Sequence, residues 1–391
     1  MRTVVVSDLH LGVRAGNDVA RLPEVRARLA ETVRGADRLV LLGDVFELRE
    51  RPLEEILRLA RPVFTELASA LAPGGELVIV PGNHDHGLVA PIAAWVGGAD
   101  RLRSLEQRLP TASIRPLAEL AGELDPVKLE LAYPGLWLDR GVYAMHGHHL
   151  DVHSSIPMVE CLALAVSARL KGGRPREGAT PADYERIATP VYRASLRLGR
   201  AGETLGRAGR GDFSVRMYER LNQDAPSERP NAKSAGRPAS PPSSGSARSK
   251  LGDRVLATAV PAFVTALNRL GLGPFDPDLS KRALRRAGLV AMATAVDHLG
   301  IDAEHVIFGH THRAGPLPRD VEGWTLPARG TRTETQLMNT GNWVYAPAFL
   351  ADRPQESPYW PGRCAIVDEG RPPRLVHPLA ETGHADLASA G

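Results

Sequence analysis

Three short apolar runs in the first 85 residues constrain this chain most. "RTVVVSD" (2–8), "RLVLLGD" (38–44) and "ELVIVPGNHD" (76–85) are rich in Val, Leu and Ile, and each ends in a polar cluster. Between them lie two helix-period stretches, "VARLPEVRARLAETVRG", closing near Gly35, and "LEEILRLARPVFTELASAL". Pro62 predicts a kink or break in the second. Buried β-branched runs alternating with helices imply βαβ units and a largely parallel sheet. In open sheets of this kind, sites form in the crevice at the carboxyl ends of the strands.

Further along, "GLWLDRGVYAMHGHHL" (135–150) reads as a hairpin turning at Asp139-Arg140-Gly141. After Ile301 the strand pattern returns in "HVIFGH", "ETQLMNTGNWVY", "CAIVDEG" and "PRLVHP". The middle is helical in pattern over 153–222 and 252–299, interrupted by a Ser/Pro/Gly/Ala-rich segment without aromatics. Such a segment buries too little apolar surface to offset its ordering entropy, so a mobile loop is expected at about 223–250. At 391 residues the chain is long for one domain. It reads as an α/β domain made of residues 1–150 and 296–391, split by a helical, lid-like insertion over 151–295.

An apolar fraction of 43% and a charged fraction of 24% are those of ordinary globular proteins. Cys161 and Cys364 show no CxxC spacing, which leaves no disulfide framework and suits a reducing cytoplasm. The N-terminal apolar run is too short for a signal peptide, and no stretch is long enough to span a membrane. Residues 191–250 hold 12 Lys or Arg against 5 Asp or Glu, whereas the rest of the chain holds 36 against 40. Basicity therefore belongs to the insertion.

The polar clusters carry the chemistry. In an extended segment Asp8 and His10 point to the same side. Asp44 after Gly43, and Asn83-His84-Asp85 after Gly82, can each be read singly as turn or cap residues. "FGHTHR" (308–313) adds His310 and His312 at another strand end, and "MHGHHL" adds His146. Together these residues supply oxygen and nitrogen donors for two transition metals in one crevice.

The ordered blocks "SDLH", "GD", "GNHD", "HGHH" and "GHTH" resemble the calcineurin-like metallophosphoesterase superfamily over residues 1–150 and 296–350. The resemblance implies a four-layer αββα sandwich with a helical insertion. It also implies two divalent cations (Mn, Fe or Zn). Asp8, His10 and His312 would bind one; Asn83, His146 and His310 would bind the other; Asp44 would bridge them. His84 corresponds to a catalytic histidine, with Asp85 expected to orient it and favour its charged form. The implied reaction is hydrolysis of a phosphate ester or pyrophosphate bond by a metal-bridging hydroxide.

Within the superfamily the pattern is nearest to the UDP-2,3-diacylglucosamine pyrophosphohydrolase-like branch, where a helical lid between the same two blocks covers acyl chains. The chain departs from that branch at His84, where arginine is usual. The substrate expected is a phosphate ester, nucleotide-linked or lipid-linked. The stretch 254–273 carries an apolar stripe, either packed on the domain or touching a lipid or membrane surface in a protein otherwise cytoplasmic.

Two rival readings are a nuclease and a non-catalytic scaffold. A nuclease would want a basic groove around the metals, and the sequence gives no firm nucleic-acid signal there; a scaffold would have lost ligands, and none is missing. His86 and His148 read as substrate contacts or solvated loop residues. His149 and His153, with Asp151, read as substrate or outer-sphere groups, and His298 and His305 as structural. Asn339 and Asn342 lie where relatives approach the phosphate.

Overall fold

The computed structural model describes residues 1–204, 263–278, 280–320, 323–329, 333–350 and 354–388. The three apolar runs form β1 (Arg2–Val6), β2 (Arg38–Leu42) and β3 (Glu76–Val80). They lie parallel, with Val4 opposite Leu39 and Leu39 opposite Leu77. Helices α1 (Pro23–Val33) and α2 (Leu53–Ala70) return the chain between them.

The twelve-residue strand β5 (Lys128–Asp139) is the pivot. Its first half pairs parallel to β3 and antiparallel to β4 (Glu106–Pro110). Its second half forms the expected hairpin with β6 (Val142–Met145), Gly135 facing Met145. β7 (His305–Phe308) and β9 (Thr335–Asn339) continue parallel to β6, and β8 (Thr325–Leu326) closes that edge. β10 (Cys364–Asp368) and β11 (Arg374–Val376) lie antiparallel beyond β1. Eleven strands among the described residues thus make one mixed, curled sheet.

The two-residue period of the strands sorts their side chains into separate cores. Val4, Val6, Leu39, Leu41, Leu77 and Ile79 pack outward against α1, α2, α3 (Val89–Trp95) and α4 (Arg115–Glu123). The alternate residues Val5, Val40, Leu42, Val78 and Val80 turn inward and meet Val142, Ala144 and Ile307 from the other half of the sheet. Tyr143, Met145, Val306 and Phe308 face the opposite way, onto α5 (Val159–Leu170), α6 (Pro181–Thr204) and the helix Lys281–His298. The layers therefore run helix, sheet, sheet, helix. At roughly 1.5–3 kcal/mol per fully buried aliphatic side chain, these faces hold the layers together. Helices of the 151–295 region thus share a core with β6 and β7.

Of the kink or break expected at Pro62, the break does not occur: α2 runs through it. Ile56, Leu57, Ala60, Val63, Phe64 and Leu67 form its buried stripe, while Pro62 and Arg58 face solvent. The Arg58 carbonyl that loses its N–H donor can turn to water instead. The segment about 223–250, expected to be a mobile loop, and residues 254–262 of the apolar-stripe segment lie outside the described residues. Among the described residues, no helix is long and apolar enough to cross a membrane.

Candidate metal centre

Every strand-end cluster reaches the same place. Asp8 and His10 follow β1, Asp44 follows β2, Asn83 and His84 follow β3, His146 follows β6, and His310 and His312 follow β7. His312 Nε2 lies 3.3 Å from Asp8 Oδ1 and 3.2 Å from His10 Nε2. Asp44 Oδ2 stands between two groups, 3.3 Å from His146 Nε2 and 3.8 Å from His10 Nε2. Asn83 Oδ1 lies 3.3 Å from His146 Nε2 and 3.1 Å from His310 Nδ1. Asp8–His10–His312 and Asp44–His146–His310 each bring ligand atoms within 4.8 Å of one another.

The backbone is bent to achieve this. Among the described residues, five non-glycine residues have positive φ: Asp8 (56°), His10 (45°), Asp44 (49°), His310 (65°) and His312 (55°). Each costs of order 1–3 kcal/mol and persists only where the surroundings over-determine it. Glycine makes room beside them. A Cβ on Gly82 would strike the Asp44 carboxylate, and one on Gly309 the Asp8 carboxylate. Asp8 Oδ1 is buried without a hydrogen bond. An orphaned carboxylate oxygen facing imidazole nitrogens fits a divalent cation.

A second ring of groups aims these candidate ligands. The Leu42 carbonyl accepts from His146 Nδ1 at 3.0 Å, which leaves Nε2 free toward Asp44. Asp151 Oδ2 lies 2.9 Å from His310 Nε2, leaving Nδ1 toward Asn83. Asn83 Nδ2 donates to Glu160 Oε1 on α5 at 3.2 Å, and Arg49 bonds both Glu160 and the Asn83 carbonyl. Glu47 Oε2 lies 3.0 Å from His10 Nδ1 and 2.7 Å from His84 Nδ1. Outer partners of this kind fix the tautomer and direction of a ligating histidine.

Glu47 was not singled out from the sequence, and it takes the role expected of Asp85. Asp85 does not contact His84; its carboxylate accepts from the backbone N–H groups of Gly82, Val45 and Phe46 at 2.5, 2.8 and 3.3 Å. It ties the third block to the second. The spacing held a signal, since Glu47 sits three residues after Asp44 in the same strand-end loop.

Asn339 and Asn342 brace the histidine loop. Asn339 Nδ2 donates to the Gly309 carbonyl and Asn342 Nδ2 to the His312 carbonyl, at 2.6 and 3.0 Å. His86 and His148 are buried, not solvated, and His86 Nε2 lies 2.8 Å from Glu185 Oε2 on α6. His153 lies 2.8 Å from the Tyr184 hydroxyl and packs edge-on to His298. His305 opens β7, half-buried.

The electrostatics suit a cation. Burial pushes His10 and His146 down, yet the surrounding carboxylates prevail and raise them to about 9 and about 10. Asp44, despite burial, is held well below the carboxylate range by His146 and His84. Imidazoles held by carboxylates in this way would exchange protons for a cation on binding one. Burial pushes His149 the other way, to about 4.

Carboxylate and imidazole donors gathered in strained loops at the strand ends of a curled mixed sheet are the equipment of a metal-dependent hydrolase of phosphoric esters. Residues 1–162 match the family model "Calcineurin-like phosphoesterase", which supports the metallophosphoesterase superfamily and the enzyme class. His310 and His312 lie beyond the matched residues, and the fold brings them to the site. No curated protein matches the chain.

Proposed function

We propose that this protein hydrolyses a phosphate ester or pyrophosphate bond at a dinuclear centre. The observation that carries this reading is that all five left-handed non-glycine residues among those described are candidate ligands. Asp8, His10 and His312 would hold one cation and Asn83, His146 and His310 the other, with Asp44 between them. When bound, two such cations polarise phosphoryl oxygens and lower the pKa of water toward neutrality. Imidazole and carboxylate donors suit Mn²⁺, Fe or Zn²⁺.

The chain's own groups do the rest. Glu47 holds His84 Nδ1, so Nε2 is the nitrogen presented to the phosphoryl or leaving oxygen, where it donates a hydrogen bond. Beside Asn83 and His84 a cavity opens between the segment 87–102 and α6, walled by Val89, Leu102, Tyr192 and Leu196, with Arg49 and Arg193 at its sides. Apolar walls with two cations fit the organic part of a nucleotide-linked or lipid-linked ester, and the 151–295 insertion acts as its cover. The insertion falls in the sequence between the "HGHH" and "GHTH" blocks, the order that resembles the UDP-2,3-diacylglucosamine pyrophosphohydrolase-like branch, while His84 stands where that branch carries arginine.

The test is a screen of phosphomonoesters, phosphodiesters and nucleotide-linked lipids with added Mn²⁺, run beside Asp44→Asn. Losing several kcal/mol of charge stabilisation costs about a thousandfold or more in rate. Undiminished hydrolysis by Asp44→Asn would sink the reading.

A further inference from the structure

We propose that His148, His149 and Glu185 hold an additional divalent cation of the zinc type, separate from the strand-end centre. The three residues are 1%, 2% and 2% exposed, and each offers a ligand atom within 4.8 Å of the others. That is the same limit that gathers Asp8, His10 and His312.

The independent sign is unsatisfied nitrogen. Both ring nitrogens of His149 and Nδ1 of His148 are buried without a hydrogen bond. His149 is the only histidine among the described residues orphaned at both positions. A buried donor or acceptor left unpaired costs about 1–3 kcal/mol. The same signature, at Asp8 Oδ1, marks the strand-end centre.

Glu185 supplies the anionic ligand and is already aimed. His86 Nε2 lies 2.8 Å from its Oε2, Thr189 Oγ1 donates to Oε2 at 2.6 Å, and the Tyr133 hydroxyl donates to Oε1. A carboxylate has about four acceptor sites, so about one remains for a cation. Flanking donors of this kind are the outer shell that a ligating carboxylate needs. Two imidazoles and one carboxylate suit Zn²⁺ with an open fourth position, whereas Mg²⁺ and Ca²⁺ favour oxygen ligands. The two imidazoles stack, with centroids 4.5 Å apart at 27°, so loading requires a rotation that parts them.

The position gives such an ion a consequence. Glu185 is on α6, and His148 and His149 open the turn His148–Val152 that carries Asp151, the partner of His310. A cation there clamps the insertion to the segment that aims a ligand of the strand-end centre.

The experiment counts metal in full-length protein whose strand-end centre is disabled by His10→Ala with Asp44→Asn. After loading with Zn²⁺ and dialysis against a weak chelator, one equivalent per chain is expected by elemental mass spectrometry. Adding His149→Ala, or Glu185→Gln if the alanine variant loses its circular-dichroism signal, should remove that equivalent. Loaded with Co²⁺ instead, the disabled protein should show tetrahedral d–d absorption that the same change abolishes. No retained metal in the disabled protein overturns the proposal, as does retention unaffected by either variant. Ordered water would then account for the orphaned nitrogens. Because the strand-end centre is already disabled, the outcome is independent of the proposed reaction.

Discussion

Two histidine-rich clusters lie within one fold, and they are built by opposite means. The strand-end cluster draws its side chains from five separate loops, and five of its seven candidate ligands sit in left-handed backbone. The His148–His149–Glu185 cluster takes its groups from a short turn and one helix, with none of the three in that conformation. Its tension lies in orphaned nitrogens rather than in φ. Strain held by the backbone is fixed by the sheet that carries it. Tension held by side chains depends on how an inserted helix packs. The first kind leaves spacing motifs in the sequence; the second leaves none.

The largest contrast should come from the groups that aim each cluster. His84→Ala is expected to lower kcat by about 10²–10⁴, the usual loss for a positioned acid–base group. Glu47→Gln, which keeps the shape but weakens the hold on both His84 and His10, should cost about 10–100-fold. It should also distort the pH profile of kcat, since a neutral amide no longer supports the charged form of His10. A profile identical to that of the parent protein would show that Glu47 only fills space.

A smaller effect tests whether the insertion reaches the centre. Asp151 lies in the turn after β6, outside the strand-end blocks, yet its carboxylate is 2.9 Å from His310 Nε2. Asp151→Asn should weaken the cation at Asn83, His146 and His310 by about 10–100-fold in chelator competition. Metal affinity equal to that of the parent protein would separate the insertion from the strand-end cluster after all.

The reach of the sequence follows the same division. That Asp8, His10, Asp44, Asn83, His146, His310 and His312 converge was legible, because each is tied to a strand end that its own apolar run announces. The alternation of Val4, Val5 and Val6 between two cores was legible as a buried strand, although not which neighbour each would meet. Glu47 was missed because its partners, His10 and His84, lie 37 residues away on either side. Asp85 was misjudged because adjacency to His84 suggested contact, while the turn sends its carboxylate to backbone amides. Glu185 carried no local signal, since 99 residues separate it from His86. The break weighed at Pro62 did not occur, because a proline on the solvent side of a helix leaves the freed carbonyl to water.

The most gradual prediction bears on protons and separates the clusters by sign. In the metal-free protein His10 and His146 are raised to about 9 and about 10, above the ordinary histidine value near 6.5. They therefore stabilise the fold fully below about pH 6.5, and that stability drains away as pH rises through 9 to 10. His149, lowered to about 4, works the other way. Its contribution is intact above about pH 6.5 and fails as pH falls toward 4. At pH 7.5, cations entering the strand-end cluster must displace protons from His10 and His146, whereas one bound by His149 meets an imidazole already neutral. Calorimetric metal titrations in buffers of different ionisation enthalpy should give up to about two protons released per chain. His149→Ala should leave that number unchanged. Proton release near zero in the parent protein would mean that the strand-end histidines are neutral before metal arrives, and the electrostatic contrast between the clusters would be lost.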